Sequence, residues 1–438
     1  VLRALADCNN FFASCERALN PALQGVPIVV LSNNDGCVVA RSAEAKVLGI
    51  PMGAPFFQVR RLCETHGVHV ASSNFEVYGD FSNRVMEALA EHARDIEVYS
   101  IDEAFMGFPD LTDEQAFVLG HSIRNDVLAR TGITVSIGLA PTQVLCKLAN
   151  ELSKKDPKTS GVYLMPTDVA KRLELLRSIP VDSLWGVGKG TASRLRAYGV
   201  ITVADLAEIE PERIRSFAGV VGERLALEVR GVPCHGIVEE SSPRQSILSS
   251  RSFGNPVTQR DNLAEALAHH AFRASEKLRE DGLVAGTIVA FARTNRHRED
   301  QEQQDAEAVI RLDPPTHDGR RMAAAITQAM DAMWIPGFQW KRAGVYLADL
   351  SSSGVTQPGL PGLGPAEPVQ RRKLMEVMDA LNAEHGKDAV RLASTGLERI
   401  WKPKAERLTN LTVKNAPAEV VKPEGDSRVK RTRIRFHE

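Results

Sequence analysis

The run IEVYSIDEAFMGF (Ile96–Phe108) constrains the fold more than any other stretch of the chain. Its apolar residues read as β-strand, yet two adjacent carboxylates, Asp102 and Glu103, interrupt it. Successive residues of a regular strand point to opposite faces, so both acids can serve one place only where the backbone bends, at a hairpin or a bulge. The run therefore predicts a tight hairpin with the acids near its turn. A third acid, Asp7, ends another strand candidate, VLRALADC. Clustered ionised carboxylates repel, and burying them is costly unless a cation neutralises them. A hard divalent ion such as magnesium takes such oxygen ligands. Two of them together are the standard apparatus for in-line attack on phosphorus. The competing reading makes Asp102 and Glu103 exposed turn residues, and composition alone leaves both open.

The residues around these acids predict organisation. To about residue 175, strand and helix patterns interleave. VPIVVLS (Val26–Ser32) and CVVA are strands separated by the turn signal NNDG (Asn33–Gly36). FFASCERALN, SNRVMEALAEHA, a run from Asp113 to about Arg130, and PTQVLCKLANELSKK have helical patterns, and TVSIGLA (Thr134–Ala140) is a strand. Such alternation predicts an α+β sheet with helices packed on one side. From about 176 to 235 the pattern changes to short helices joined by glycine turns. There WGVGKG (Trp185–Gly190) resembles a helix-hairpin-helix, in which glycines bring backbone N–H groups close to a phosphate. Glycine-rich turns between helices are also common without any ligand. FAGVVGERLALEVRG reads as a weaker companion. From about 245 to 350 the order is strand–helix–strand–strand–helix–strand, a small split sheet with two helices. Ser246–Leu350 holds 13 Lys and Arg against 14 Asp and Glu. DNA binding there therefore needs one basic face, for which Arg251, Arg293, Arg296 and Arg298 are the candidates. Ser351–Pro368 has the composition of a linker. A helix, RKLMEVMDALNAEHG, and a tail follow, ending in the basic RVKRTRIRF.

With 438 residues the chain exceeds what one hydrophobic core usually holds, so two to four domains are expected. The formal net charge of −1 argues against a protein that coats nucleic acid indiscriminately, but not against a local basic groove. The six cysteines (Cys8, Cys15, Cys37, Cys63, Cys146 and Cys234) form no C-x-x-C pair and read as reduced thiols of a cytosolic protein. No apolar run is long enough to span a membrane, and the sequence reads as having no signal peptide before the first domain. The chain begins at Val1, which reads as an initiator methionine lost or left out.

Several stretches, in order along the first 350 residues, resemble the Y-family, or translesion, DNA polymerases. The nearest branch is the UmuC type of bacterial DNA polymerase V and its plasmid-borne relatives. They are ADCNNFFASCE, VVLSNNDGCVVARSAEAKVLGIPMG, SSNFEVYGDFSNRVM, EVYSIDEAF, LANELSKK, IPVDSLWGVGKG and SRSFG. The resemblance implies a right-hand polymerase with palm (1–24 and 76–175), fingers (25–75), helix-hairpin-helix thumb (176–240) and an α/β little finger (241–350). A linker (351–369) and a small C-terminal extension (370–438) complete it. It implies an error-prone, DNA-directed DNA polymerase acting in the response to DNA damage. Matched position by position, Asp7, Asp102 and Glu103 are the catalytic acids and, with the Cys8 carbonyl, the ligands of two magnesium ions. Phe12 matches the steric gate that excludes a ribose 2′-hydroxyl. Lys46 and Lys154, with Lys155 as the alternative register for the latter, match positions that grip the triphosphate. Lys46 replaces an arginine of other branches, and Ala43 stands where many carry tyrosine; lysine lacks the bidentate fork. Gly186, Gly188 and Gly190 would contact the DNA backbone.

One departure concerns the sliding clamp. The family binds it through glutamine, leucine and an aromatic residue; here QPGLPGL supplies Gln357 and Leu360 but no phenylalanine. The resemblance further implies primer-template DNA and deoxynucleoside triphosphates as ligands. As partners it implies a UmuD′-type dimer, a RecA-type recombinase and the clamp, with no membrane. It also implies a bacterial cytoplasmic protein that joins the nucleoid when active. Two other readings are a non-catalytic adaptor with the same fold and a metal-dependent nuclease using the same acids.

Overall fold

The computed structural model describes residues 2–234, 236, 244–353, 369–386, 388–396, 398–402 and 404–409. They fall into two compact units, one within Val1–Ser32, Gly36–Ser241 and Arg407–Glu438, the other within Asn33–Asp35 and Ser242–Glu406.

The first unit begins with β1 (Leu2–Cys8), followed by α1 (Phe11–Leu19). Next come β2 (Ile28–Leu31), β3 (Val38–Arg41), α2 (Ala43–Val47), α3 (Phe56–Thr65), β4 (His69–Ser72) and α4 (Phe75–His92). The hairpin strands β5 (Asp95–Val98) and β6 (Glu103–Phe108) precede α5 (Asp113–Thr131), β7 (Val135–Ala140), α6 (Gln143–Lys155) and β8 (Val162–Leu164). The helices α7 (Val169–Arg177), α8 (Lys189–Ala197), α9 (Val203–Glu208) and α10 (Pro211–Arg230) close the unit. Its main sheet has the order β5-β6-β1-β7-β8, and a second sheet the order β3-β2-β4.

The predicted one-sided packing is corrected. Ala4 and Ala6 belong to a core shared with α1, α4 and α5, whereas Leu5 belongs to one shared with α6 and the helices after it. Helices thus cover both faces of the main sheet. The reason lies in the strands: all six residues of β7 are buried, and a strand buried on both faces needs a layer on each side. α5 starts at a capping box formed by Thr112 and Gln115 and ends at Gly132, in the left-handed region at φ 70°. Within α10 the backbone turns at Gly219 (φ 71°), so the FAGVVGERL stretch does contain a glycine turn between helical segments.

The second unit is β9 (Ile247–Val257), α11 (Arg260–Glu280), β10 (Leu283–Arg293), β11 (Asp305–Thr316), α12 (Gly319–Met333) and β12 (Trp340–Ser352), in the predicted order. The sheet order is β11-β10-β12-β9, with all pairs antiparallel. Alternate strand residues such as Ile288, Ala290, Ala292, Ala343 and Val345 pack on α11 and α12. α13 (Val369–His385) packs Met375 and Met378 against Phe272. Trp401 is buried beside Phe253 and His269.

All six cysteines are free thiols, four of them buried. Among the described residues no helix is long and apolar enough to cross a membrane.

Candidate active site

β1 lies between β6 and β7, and its register sets Asp7 opposite Glu103 on one side and Ser136 on the other. The hairpin between β5 and β6 is closed by the Tyr99 and Ser100 N–H groups, which donate to the Glu103 carbonyl at 3.0 and 3.1 Å. The Cys8 N–H donates to the Asp102 carbonyl at 2.9 Å. The hairpin expected from the sequence is present, with Asp102 in its turn and Glu103 opening the return strand. Asp7, Asp102 and Glu103 thereby meet at one end of the central strands. Asp102 Oδ1 accepts from the Ser100 hydroxyl at 2.7 Å.

Two lysines of α6 complete the cluster. Lys154 Nζ is 2.7 Å from Asp7 Oδ2, and Lys147 Nζ is 2.7 Å from Glu103 Oε2. Seven residues apart, they share one face of the helix. Asn150, between them, donates to the carbonyls of Leu5 and Ser136 at 3.3 and 2.7 Å, anchoring α6 to the sheet. Gly138 permits the approach, since a Cβ there would meet Asn150 N and Cys146 O at 2.3 Å. Lys147 also lies 4.5 Å from the centre of the Tyr99 ring and 5.6 Å from that of Trp185.

The electrostatics show a site short of positive charge. Burial pushes Asp7 up to about 7 against the pull of Lys154, and a hydrogen bond with Glu103 adds to the rise. Burial also raises Asp102, with the Ser100 hydroxyl opposing. Burial works the same way on Glu103, but hydrogen bonds from Asp7 and Lys147 outweigh it and hold this carboxyl below its ordinary value. Among the described residues no three His, Cys, Asp or Glu side chains form a ready-made chelate for a metal ion. The carboxyl oxygens turn instead to Lys147, Lys154 and Ser100. The donor set nonetheless suits a hard divalent cation: it is all oxygen, and its two raised carboxyls are ones that added positive charge would ionise.

Phe12 follows within one turn. The chain leaves β1 through Asn10, in the left-handed conformation that asparagine tolerates (φ 49°), and enters α1 at once. Phe11 is buried in the core, whereas Phe12 is only partly buried. The Phe12 ring stacks on Tyr78 with centroids 4.6 Å apart and meets Phe75 edge-on at 5.7 Å. Lys46, on α2, is lowered by burial and by the charges of Arg41 and Lys154, so these cations share one neighbourhood with Asp7. Lys154, not Lys155, is the lysine against Asp7. Sequence reasoning missed Lys147, Arg41 and Asn150. The seven-residue spacing of Lys147 and Lys154 was the available signal for the first.

Gly186 has φ 88° and sits against Leu225, as the turn requires. Gly188 is the N-cap of α8 with no side-chain cap, and a Cβ at Gly188 or Gly190 would meet nothing within 4 Å. The first-turn N–H groups of α8 are thus approachable. In the second unit the expectation of one arginine face fails for Arg251. The register pairs Arg251 with Ala343 and Ala343 with Ala292, which face the helices. Arg293 instead pairs with Arg342, and Arg342 with Ser252, on the open face. Strand alternation puts Arg251 and Arg293 on opposite sides. Arg342, not singled out from the sequence, is the true neighbour of Arg293. Arg296 pairs with Asp305, and Arg298 with Asp300. Gln357 and Leu360 lie outside the described residues.

The chain is similar to known proteins in sequence and in fold. The model of the impB/mucB/samB family matches residues 6–151, and that of its C-terminal domain matches residues 244–360. A model described as a domain of unknown function matches residues 372–412. Protein UmuC of Salmonella typhimurium is 41% identical over 418 residues, 93% of this chain and 96% of that protein. Protein ImpB of the same organism is 39% identical over 414 residues, with the same 93% and 96% coverage. Among solved structures, a Y-family DNA polymerase chimera of Dbh and Dpo4 shares the fold, with TM-score 0.62 at 22% identity over 80% of this chain and 100% of that one. Fold and sequence together define a Y-family DNA polymerase with palm, fingers, thumb and little finger. More narrowly, the chain belongs to the impB/mucB/samB family and is a translesion, error-prone polymerase of UmuC type, a DNA-repair enzyme of the SOS response.

Proposed function

We propose that Asp7, Asp102 and Glu103, with the Cys8 carbonyl, hold two magnesium ions and serve the transfer of deoxynucleotides to a primer 3′-hydroxyl. The observation that carries this reading is the meeting of three acids at the end of β1 beside Lys154 and Lys147. When bound, the ions supply a lowered barrier to oxygen attack on phosphorus and neutralise the charge of the leaving group. The chain's own residues do the rest. Asp102 and Asp7 would be held ionised beside added positive charge, and with Asp7 neutralised by it Lys154 would be available to the triphosphate. Lys46 and Arg41 add positive charge beside it. Phe12, backed by Tyr78, fills the space where a ribose 2′-hydroxyl would sit. The N–H groups around Gly186, Gly188 and Gly190 grip the DNA backbone without reading sequence, as suits a polymerase that accepts any template. Arg293 and Arg342, with Arg296 and Arg298 in the adjacent loop, add phosphate contacts.

The domain division read from the sequence is kept as part of this proposal. The β2–β4 sheet falls within 25–75 and α8–α10 within 176–240, which supports it. A UmuD′-type dimer, a RecA-type filament and a clamp are proposed partners, as is a cytoplasmic, nucleoid-associated setting; similarity to UmuC supports them.

Primer extension on a template with an abasic site or thymine dimer tests the reading, with magnesium and all four deoxynucleotides. A polymerase extends past the lesion. An adaptor leaves the primer unchanged, and a nuclease shortens it; either result overturns the proposal.

A further inference from the structure

The described residues after Glu406, Arg407–Thr409, belong to the first unit, and four contacts fix them there. The Ser72 N–H, at the end of edge strand β4, donates to the Arg407 carbonyl at 2.9 Å. The Arg407 N–H donates back to the Ser72 hydroxyl at 3.0 Å. The Arg407 guanidinium lies 5.0 Å from the centre of the Phe56 ring. Thr409 Oγ1 donates to Glu16 Oε2 at 2.7 Å.

Glu16 makes the last contact informative. It is 1% exposed and sits on α1 one helical turn after Phe12. Its other carboxyl oxygen accepts from the Tyr78 hydroxyl at 2.6 Å. The ring of Tyr78 is stacked on Phe12, with an interplanar angle of 17°. Burial, together with the charge of Glu16, keeps the Tyr78 phenol protonated, so it is always the donor. A buried carboxylate that loses one of its donors pulls harder on the other or moves toward water. The seat of the Tyr78 ring, and with it the surface that Phe12 rests on, therefore depends on Thr409.

We propose that the C-terminal segment Arg407–Thr409 is a strap that positions the sugar gate, with Thr409 acting on Phe12 through Glu16 and Tyr78. Thr409 is a positioning residue and touches no substrate. The inference rests on the reading of Phe12 as the gate. It gives a task to part of the region matched only as a domain of unknown function.

The test measures kcat/KM for a deoxynucleotide and the matching ribonucleotide in single-nucleotide primer extension by the full chain. The variants are Thr409→Val, Thr409→Ser, Phe12→Ala and the double variant Phe12→Ala/Thr409→Val. Thr409→Val keeps shape and removes the donor. It is expected to raise relative ribonucleotide use by roughly 3–10-fold, the scale of one lost intramolecular hydrogen bond. Thr409→Ser restores the wild-type ratio. In the Phe12→Ala background the Thr409→Val effect disappears, because both act through one ring. A wild-type ratio in Thr409→Val while Phe12→Ala raises it overturns the strap alone. Full additivity in the double variant does so too, as does a Thr409→Ser ratio that rises with a lowered melting temperature. No rise in Phe12→Ala overturns the gate reading, and the strap falls with it.

Discussion

The end of β1 and the open face of the β9–β12 sheet both gather charged side chains, and they hold them under different conditions. At β1 the side chains of Asp7 and Glu103 are 15% and 17% exposed and meet lysines at 2.7 Å. On the open face Arg293 and Asp305 are 44% and 49% exposed and stand 3.7 Å apart. An exposed pair of that kind contributes only about 0–1 kcal/mol, so Arg293 can exchange its aspartate for a phosphate at little cost. The buried acids cannot exchange partners so freely. Removing water strengthens every charge interaction among them and makes their ionisation depend on which cation is near. One region is suited to chemistry and the other to reversible grip.

The largest expected effect breaks the buried cluster. Asp102→Asn should lower single-nucleotide incorporation by about 1,000-fold or more, the scale of losing a metal ligand at the reacting centre. Thermal unfolding should be unchanged or slightly raised, because a desolvated like-charge neighbour of Glu103 is removed. Next is the support of that cluster. Gly138→Ala forces a Cβ into the backbone of α6, and should cost about 3 kcal/mol in denaturant unfolding followed on the first unit.

The second unit should respond to acid through a different buried group. Burial is the main reason His269 and His270 are both lowered to about 3. The folded state then binds fewer protons than the unfolded state between about pH 6.5 and pH 3. Stability of this unit is full above that window and falls as pH drops through it, by roughly 2 kcal/mol for His270 at pH 5. Urea unfolding at pH 7 and pH 5 checks this, and His270→Leu should remove about half of the difference. The smallest effects lie on the open face. Arg293→Ala and Arg342→Ala should each weaken primer-template binding by about 1 kcal/mol and reduce the salt slope by about 1. Arg251→Ala, on the helix-packed side, should do less; fluorescence anisotropy across a salt series compares the three.

Much of this was legible locally. The acids at a hairpin turn follow from strand alternation, and the order of elements in the second unit follows from periodicity. What failed depended on pairing between distant strands. Arg251 and Arg293 both sit in strands, and only the register through β12 shows that they point apart. Helices on both faces of the main sheet were hinted at by β7, whose one polar residue is Ser136, but two cores are visible only once Leu5 and its neighbours are seen to point apart. Lys147 reads as a surface lysine until α6 is laid across β1. The return of Arg407–Thr409 to Ser72 and Glu16 spans more than 300 residues, beyond any local pattern.

The most direct measurement of the buried cluster counts ions rather than products. Manganese, as a paramagnetic stand-in for magnesium, would be titrated into the chain bound to primer-template and a non-hydrolysable nucleotide, and followed by electron paramagnetic resonance. The wild type should bind two ions at this site, and Asp102→Asn should lose at least one of them. Equal stoichiometry in the two proteins would contradict the assignment of Asp7, Asp102 and Glu103 as the metal-binding centre.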